Sequence, residues 1–280
     1  TQKAIFGFGN TGSNVSITNL VNSSGVVATD TTGVGTAREK LGAAGYGGDK
    51  AIFGYGSAGP DLSMTNLVSN SGVVSTDVTG VGTARRDIRA TTYGLDKAIF
   101  GYGVTSGVVS ITNLVNSSGV VSTDVTGVGT AREQLGAAGY GGDKAIFGYG
   151  TNGGNVSMTN LVSSSGVVSA DVSGVGTGRY ALAAASYGSD KALFGYGYAS
   201  SYVSITNLVS NTGVVSSDVS GVGTARFRLA AASYGGDKAL FGYGNTGSQV
   251  SITNLVSSSG VVASNVTGVG TARSNLAAAG

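Results

Sequence analysis

"LGAAGYGGDKAIFGYG" spans residues 41 to 56. Its first half carries almost no large side chain, and its second half is apolar nearly throughout. It reads as two extended pieces, "LGAAGYG" (41 to 47) and "KAIFGYG" (50 to 56), joined by Gly48 and Asp49, residues that accept the positive φ of a tight turn. Ile, Phe and Tyr suit strands. A helix is disfavoured, because each interior Gly would cost about 1 kcal/mol relative to Ala. The octet "DKAIFGYG" (49 to 56) returns at 96 to 103 and 143 to 150, and with Leu for Ile at 190 to 197 and 237 to 244.

The return is strictly periodic. Lys3, Lys50, Lys97, Lys144, Lys191 and Lys238 each start a copy of 47 residues, and Arg38, Arg85, Arg132, Arg179, Arg226 and Arg273 keep the same spacing. Six copies therefore fill residues 1–280 as one domain, and a period of this length belongs to propeller repeats. Each copy continues with "LSMTNLV" (62 to 68), a Ser/Asn/Gly turn and "VVSTDVT" (73 to 79), which predicts four antiparallel strands, a to d, per unit. The expected fold is all-β, a six-bladed propeller. Strand a, rich in Ala and Gly, is expected to line the axis, and the bulkier strands to fill the space between blades. The chain begins at strand b in "QKAIFGFG" (2 to 9) and ends at strand a in "RSNLAAAG" (273 to 280). The last strand is thus expected to join the first three and clasp the ring, leaving no exposed edge.

Composition removes whole classes of function. Among 280 residues there are 50 Gly and no Cys, His or Trp. Without imidazole or thiolate the usual zinc, copper and haem sites cannot be assembled, nor the Ser-His and Cys-His nucleophile pairs. No clustered Asp motif of EF-hand type and no convergent carboxylate pair is evident, so neither a cofactor nor an enzymatic activity is expected. A net charge of +2 gives no electrostatic reason to expect nucleic acid. No apolar run reaches the roughly 18 residues of a membrane helix, so no membrane insertion is expected. "GFGNTG" (7 to 12) fits the dinucleotide fingerprint only as a string, since no helix follows it.

Differences among the copies are concentrated. The loop from b to c reads "NTGSN" (10 to 14), "SAGPD" (57 to 61), "VTSGV" (104 to 108), "TNGGN" (151 to 155), "YASSY" (198 to 202) and "NTGSQ" (245 to 249). The link from d to a also varies after each periodic Arg, as in Arg86-Asp87 and Phe227-Arg228. In an antiparallel meander both connections emerge on one face, while the nearly constant a-b and c-d turns emerge on the other. Loops on a rigid frame are where binding residues concentrate. The candidate contact residues are Tyr180, Tyr198, Tyr202, Phe227 and Arg228, an aromatic sector with a cation beside it, and the polar tips Asn10, Asn14, Asp61, Asn152, Asn155, Asn245 and Gln249. Arg86, Asp87 and Arg89 form a charged sector whose plain reading is a solvated surface. The six periodic Arg are read as structural, paired with backbone carbonyls or with Asp30, Asp77, Asp124, Asp171 and Asp218. Asn265 interrupts that acid series, which predicts a weaker joint there.

From Ala37 the copy "AREKLGAAGYGGDKAIFGYGSAGPDLSMTNLVSNSGVV" resembles a kelch repeat: Arg before a small-residue strand, a Gly-Asp-Lys turn, and an apolar strand ending in glycines. Gly-Tyr-Gly stands for the family's glycine doublet and Val for its Trp. The resemblance covers all six copies and implies a propeller that engages partners through the diversified face. The near-identical glycine-rich array is also similar to propellers in tail and receptor-binding proteins of environmental phages. These readings converge on a non-enzymatic adhesin or receptor-binding head for a surface glycan or protein, at an extracellular or virion surface. The alternative is a symmetric structural or engineered scaffold without a ligand.

Overall fold

The computed structural model describes residues 4–280; Lys3, the first of the periodic lysines, lies outside them. The described residues form eighteen strands and no helix. Inner strands are β3 (Gly42–Tyr46), β6 (Arg89–Tyr93), β9 (Gly136–Tyr140), β12 (Ala183–Tyr187), β15 (Ala230–Tyr234) and β18 (Ala277–Ala279). Middle strands are β1 (Ala4–Gly7), β4 (Lys50–Gly54), β7 (Lys97–Gly101), β10 (Lys144–Gly148), β13 (Lys191–Gly195) and β16 (Lys238–Gly242). Outer strands are β2 (Thr18–Val21), β5 (Thr65–Val68), β8 (Thr112–Val115), β11 (Thr159–Val162), β14 (Thr206–Val209) and β17 (Thr253–Val256). They assemble into six separate three-stranded antiparallel sheets of near-identical build, a propeller-like repeat protein.

Each middle strand is buried on both faces, which explains why "AIFG" lacks the alternation of a half-exposed strand. Successive side chains point to opposite neighbours. Ala51 and Phe53 pack with Ile5 and Phe8 of the preceding sheet, whereas Ile52 packs with Ile88 and Phe100 of the next. The hydrophobic core is thus six slabs between sheets. Gly54 is the seat of one such contact: a Cβ there would fall 2.7 Å from Phe100 Cζ. Tyr55 follows at φ 64°, a costly conformation for a bulky residue. Its surroundings hold it there. The ring is fully buried 5.1 Å from that of Phe100, its hydroxyl donates to Val81 O at 3.0 Å, and its carbonyl accepts Arg38 Nε at 2.8 Å.

The expected fourth strand is not a strand. Residues 73 to 79 form no ladder with β5 but meet it at two isolated bridges, Val68 with Val74 and Thr65 with Val78. Between these bridges the outer segment has one residue more than its partner, a bulge that breaks the ladder. Side chains take over the broken bonds: Ser75 Oγ accepts the Leu67 amide at 3.0 Å, and Asn66 Nδ2 donates to Ser75 O at 3.0 Å. The alternation of "VVSTDVT" is strand-like, but its length is not commensurate with β5.

Inner strands touch in the cyclic order β3, β6, β9, β12, β15, β18 and back to β3. The chain ends meet as expected: β18 pairs antiparallel with β1, Ile5 opposite Ala279 and Gly7 opposite Ala277, completing the sheet β18-β1-β2. A second closure is made by main chain alone. Lys40 N donates to Asn275 O, Asp87 N to Lys40 O, Gln134 N to Asp87 O, Ala181 N to Gln134 O, Arg228 N to Ala181 O and Asn275 N to Arg228 O, all at 2.8 to 3.1 Å. Six hydrogen bonds thus form a closed hoop. Every residue in it has φ between 52° and 58°, although none is glycine.

Candidate binding face

Beyond the regular strands, each sheet brings three diversified positions side by side, one from the link before its inner strand and two that bracket the b-c loop. The triads are Ser274, Asn10 and Asn14; Glu39, Ser57 and Asp61; Arg86, Val104 and Val108; Glu133, Thr151 and Asn155; Tyr180, Tyr198 and Tyr202; Phe227, Asn245 and Gln249. The two variable connections thus share one face, and their side chains are held in register by backbone pairing. Asn152, at the tip of its loop, is exposed and lies outside the triads.

Most of the polar candidates are hydrogen-bonded across sheet boundaries. Asn14 Nδ2 donates to Ser57 O at 3.2 Å, Asn155 Nδ2 to Ala199 O at 2.7 Å, and Gln249 Nε2 to Asn10 Oδ1 at 3.4 Å. Both oxygens of Asp61 accept from Arg86 Nη1 at 2.9 Å. Asn10 and Asn245 also close their own loops, each accepting a glycine amide two residues on at 2.8 Å. These side chains lock neighbouring sheets together.

The charged sector is not a solvated surface. Asp87 is 5% exposed, with Lys40 Nζ 3.6 Å from its carboxylate. Burial pushes its carboxyl above the ordinary range despite the nearby Lys40, Arg89, Arg86 and Arg228. Glu133 is raised too, by burial and then by the charge of Asp87. Arg89 enters the axial cavity, about 50 Å³, where the equivalent residues are Gly42, Gly136, Ala183, Ala230 and Ala277. Among the described residues its guanidinium makes one hydrogen bond, from Nη1 to Ile88 O at 2.9 Å. Beside this group Gln134 Oε1 is buried without a partner among the described residues.

The aromatic sector differs. Tyr202 and Phe227 stack with centroids 5.0 Å apart and planes 16° apart, and Tyr198 meets Tyr202 edge-on at 5.7 Å and Tyr180 at 5.4 Å. All four rings are half-buried, so they neither point freely outward nor sink between sheets. The Arg228 guanidinium lies 4.8 Å from the Phe227 centroid. Among the described residues, neither that guanidinium nor the hydroxyls of Tyr180, Tyr198 and Tyr202 make a hydrogen bond or ion pair within the chain.

The six periodic Arg are fully buried bolts between sheets, away from the axis. Arg38 donates to Tyr55 O, to Thr36 O at 3.1 Å and to Asn66 Oδ1 at 2.7 Å, with its guanidinium 4.4 Å from the Phe8 ring of the preceding sheet. Burial lowers its pKa to about 10. The repeating acids lie at the limit of ion-pair reach, with Asp124 Oδ1 4.0 Å from Arg85 Nη1, and accept no direct hydrogen bond from the periodic Arg: Asp77 accepts instead the amide and hydroxyl of Thr36 and Asn66 Nδ2. Burial raises that carboxyl, but these hydrogen bonds outweigh it and hold the pKa below the ordinary value. Where Asn265 replaces the acid, Arg226 Nη2 and Asn254 Oδ1 are buried and unpaired among the described residues, although the equivalent atoms bond to each other in the other five joints.

A cavity of about 1020 Å³ opens on the opposite face and is lined by no residue of the b-c loops or the d-a links. No membrane-length apolar helix and no His/Cys/Asp/Glu cluster fit for a metal occurs among the described residues. No protein-family model matches the chain, and no curated protein matches it. The kelch resemblance therefore rests on the repeat residues alone. Two structural features escape a reading by residue type: the buried Asn that joins Arg to Asp in five of the joints, marked only by the constant "TN" pair before "LV", and the axial placement of Arg89, marked as the one large side chain in an otherwise small-residue column.

Proposed function

We propose that the protein is a six-bladed β-propeller, kelch-like in strand plan with its fourth strand reduced to a bulged segment, and that it serves as a non-enzymatic binding module. Its ligand is a surface glycan or protein, taken by the face that carries the b-c loops and the d-a links. The supporting observation is the aromatic sector. On a face where most of the diversified polar side chains are bonded within the chain, Tyr180, Tyr198, Tyr202 and Arg228 keep their polar groups free among the described residues. Tyr and Arg are the residues that dominate binding hot spots. A rigid frame presents them without an ordering cost at binding. An adhesin or receptor-binding head at an extracellular or virion surface would use this face, with weak contacts strengthened wherever several copies act together.

A purely structural scaffold is the second reading, favoured by the number of diversified side chains consumed in locking adjacent sheets. A glycan-array and cell-surface binding screen with the intact chain, repeated with Tyr198→Ala and Tyr202→Ala, separates the two. Binding that disappears in both variants is expected; absence of any binding, or binding indifferent to both changes, would leave the scaffold.

A further inference from the structure

The aromatic sector is small. Four rings from two neighbouring sheets cannot supply the roughly 800 Å² per partner of a stable protein interface. The rest of the face adds little, because Lys40 and Arg86 are already paired and Asn155, Gln249 and Asn10 already bonded. A sugar ring needs less. It lays a face of C–H bonds against an aromatic surface and uses its hydroxyls on polar groups nearby. This sector offers the stacked pair Tyr202 and Phe227 together with three tyrosine hydroxyls that have no partner among the described residues.

Charge then selects among sugars. The pairing seen between Asp61 and Arg86 has no counterpart at Arg228. The Arg228 guanidinium is held over Phe227 at 4.8 Å and makes no salt bridge among the described residues, while Asp87, the acid whose carboxyl feels its charge, has Lys40 at 3.6 Å. The fork of a guanidinium matches the two oxygens of a carboxylate or of a sulfate ester. We propose that Tyr198, Tyr202, Phe227 and Arg228 bind an acidic saccharide, a sugar ring bearing a carboxylate or sulfate, with the rings carrying the sugar and Arg228 its oxyanion. This inference rests on the binding-face reading above and narrows it to one ligand class.

The test is an array that pairs neutral glycans with their sialylated and sulfated forms, followed by calorimetry on the hits with the full chain and Arg228→Ala. Ala181 occupies the equivalent hoop position at φ 52°, so Ala is compatible with the backbone there, and an unchanged melting temperature is expected. The expected result is preference for the acidic member of a pair, an affinity that falls with added salt, and a loss of about ten-fold or more in Arg228→Ala. The neutral core should bind Arg228→Ala and the parent alike. The sialylated and sulfated arms identify which oxyanion is taken, and selection of either supports the inference. Equal binding of neutral and acidic forms, or an acidic preference that survives Arg228→Ala, overturns it while leaving the binding face intact. Binding to no glycan overturns it as well, and cell-surface binding that is lost in Tyr198→Ala and Tyr202→Ala would then keep the binding face with a protein ligand.

Discussion

On one side of the diversified face Asp61 takes both its oxygens to Arg86, Lys40 lies 3.6 Å from Asp87, and Asn275 donates to Glu39 at 2.7 Å. On the other side three tyrosine hydroxyls and the Arg228 guanidinium have no partner among the described residues, and the contacts among these residues are those of rings. The two sectors stand on the same frame at equivalent positions of the repeat. They differ in where their polar groups are directed, inwardly in the first and at nothing within the molecule in the second. Diversity between repeats therefore has two physical meanings here. One set of changes tunes how neighbouring sheets are locked, and the other leaves a surface able to accept something else.

The widest test asks whether both sectors depend on the one closed frame. Removing residues 273 to 280 takes away β18, the three hydrogen bonds of Arg273 and one member of the hoop, and it leaves β1 as an unpaired edge. Loss of a single sharp thermal transition together with oligomerisation seen by light scattering is expected; a monomer with an unchanged transition would show the frame to be open.

Within the charged sector, Asp87→Ala should lower stability by about 2 kcal/mol in denaturant titration, because Arg89 then stays in the axial cavity without its nearby carboxylate. Adding Arg89→Ala, which restores the small side chain of the other five repeats, should recover most of that loss, a coupling that a double-mutant cycle reads directly. Independent costs that simply add would show that the sector is not internally paired.

At the joints, Asn265→Asp should raise stability by about 1 kcal/mol at neutral pH by pairing Arg226 with Asn254 again. The sign of its pH dependence follows from the repeating acids. Asp77 and its equivalents have folded pKa values below the ordinary carboxylate value, so the stability they add is present above the unfolded pKa, about 4, and is lost as pH falls through the lower folded pKa. A sixth such acid should steepen acid unfolding. Asp87, raised by burial, acts in the opposite sense, and its ionisation weakens the fold as pH rises through its folded pKa. Acid titration of Asn265→Asp and of Asp87→Ala should therefore both steepen, the first by adding an acid with a lowered pKa and the second by removing one with a raised pKa.

The smallest expected change in stability lies in the aromatic sector. Tyr202→Asn, the residue found at the equivalent positions 14 and 155, should cost about 1 kcal/mol or less for the lost ring contacts, yet it should abolish ligand binding. A large loss of stability there would erase the contrast between the sectors.

Much of this frame is legible in the sequence because it follows from size and spacing. The 47-residue period, the small residues of strand a, the uninterrupted "AIFG" and the complementary chain ends all report on packing, which admits few solutions. What misleads is hydrogen bonding by side chains. The segment 73 to 79 alternates like a strand, but Ser75 and Asn66 replace main-chain partners and accommodate an extra residue. The hoop is invisible for another reason: left-handed backbone is normally announced by Gly or Asn, and here Lys40, Asp87, Gln134, Ala181 and Arg228 adopt it. The aromatic sector could be located from the sequence, since four rings stand out against small polar residues. Which polar groups remain free could not, because that depends on contacts between sheets.

The hoop has one more consequence, for how the covalent chain may run. Its hydrogen bonds are alike at all six joints and involve no side chain, so the place where the polypeptide is cut carries no special burden in keeping the circle shut. A circular permutant, with residues 280 and 4 linked through a short turn and new ends opened at another a-b turn, should fold to the same disc. The order of the repeats along the chain is then a matter of genetic arrangement, while their order around the axis is what the ligand would meet.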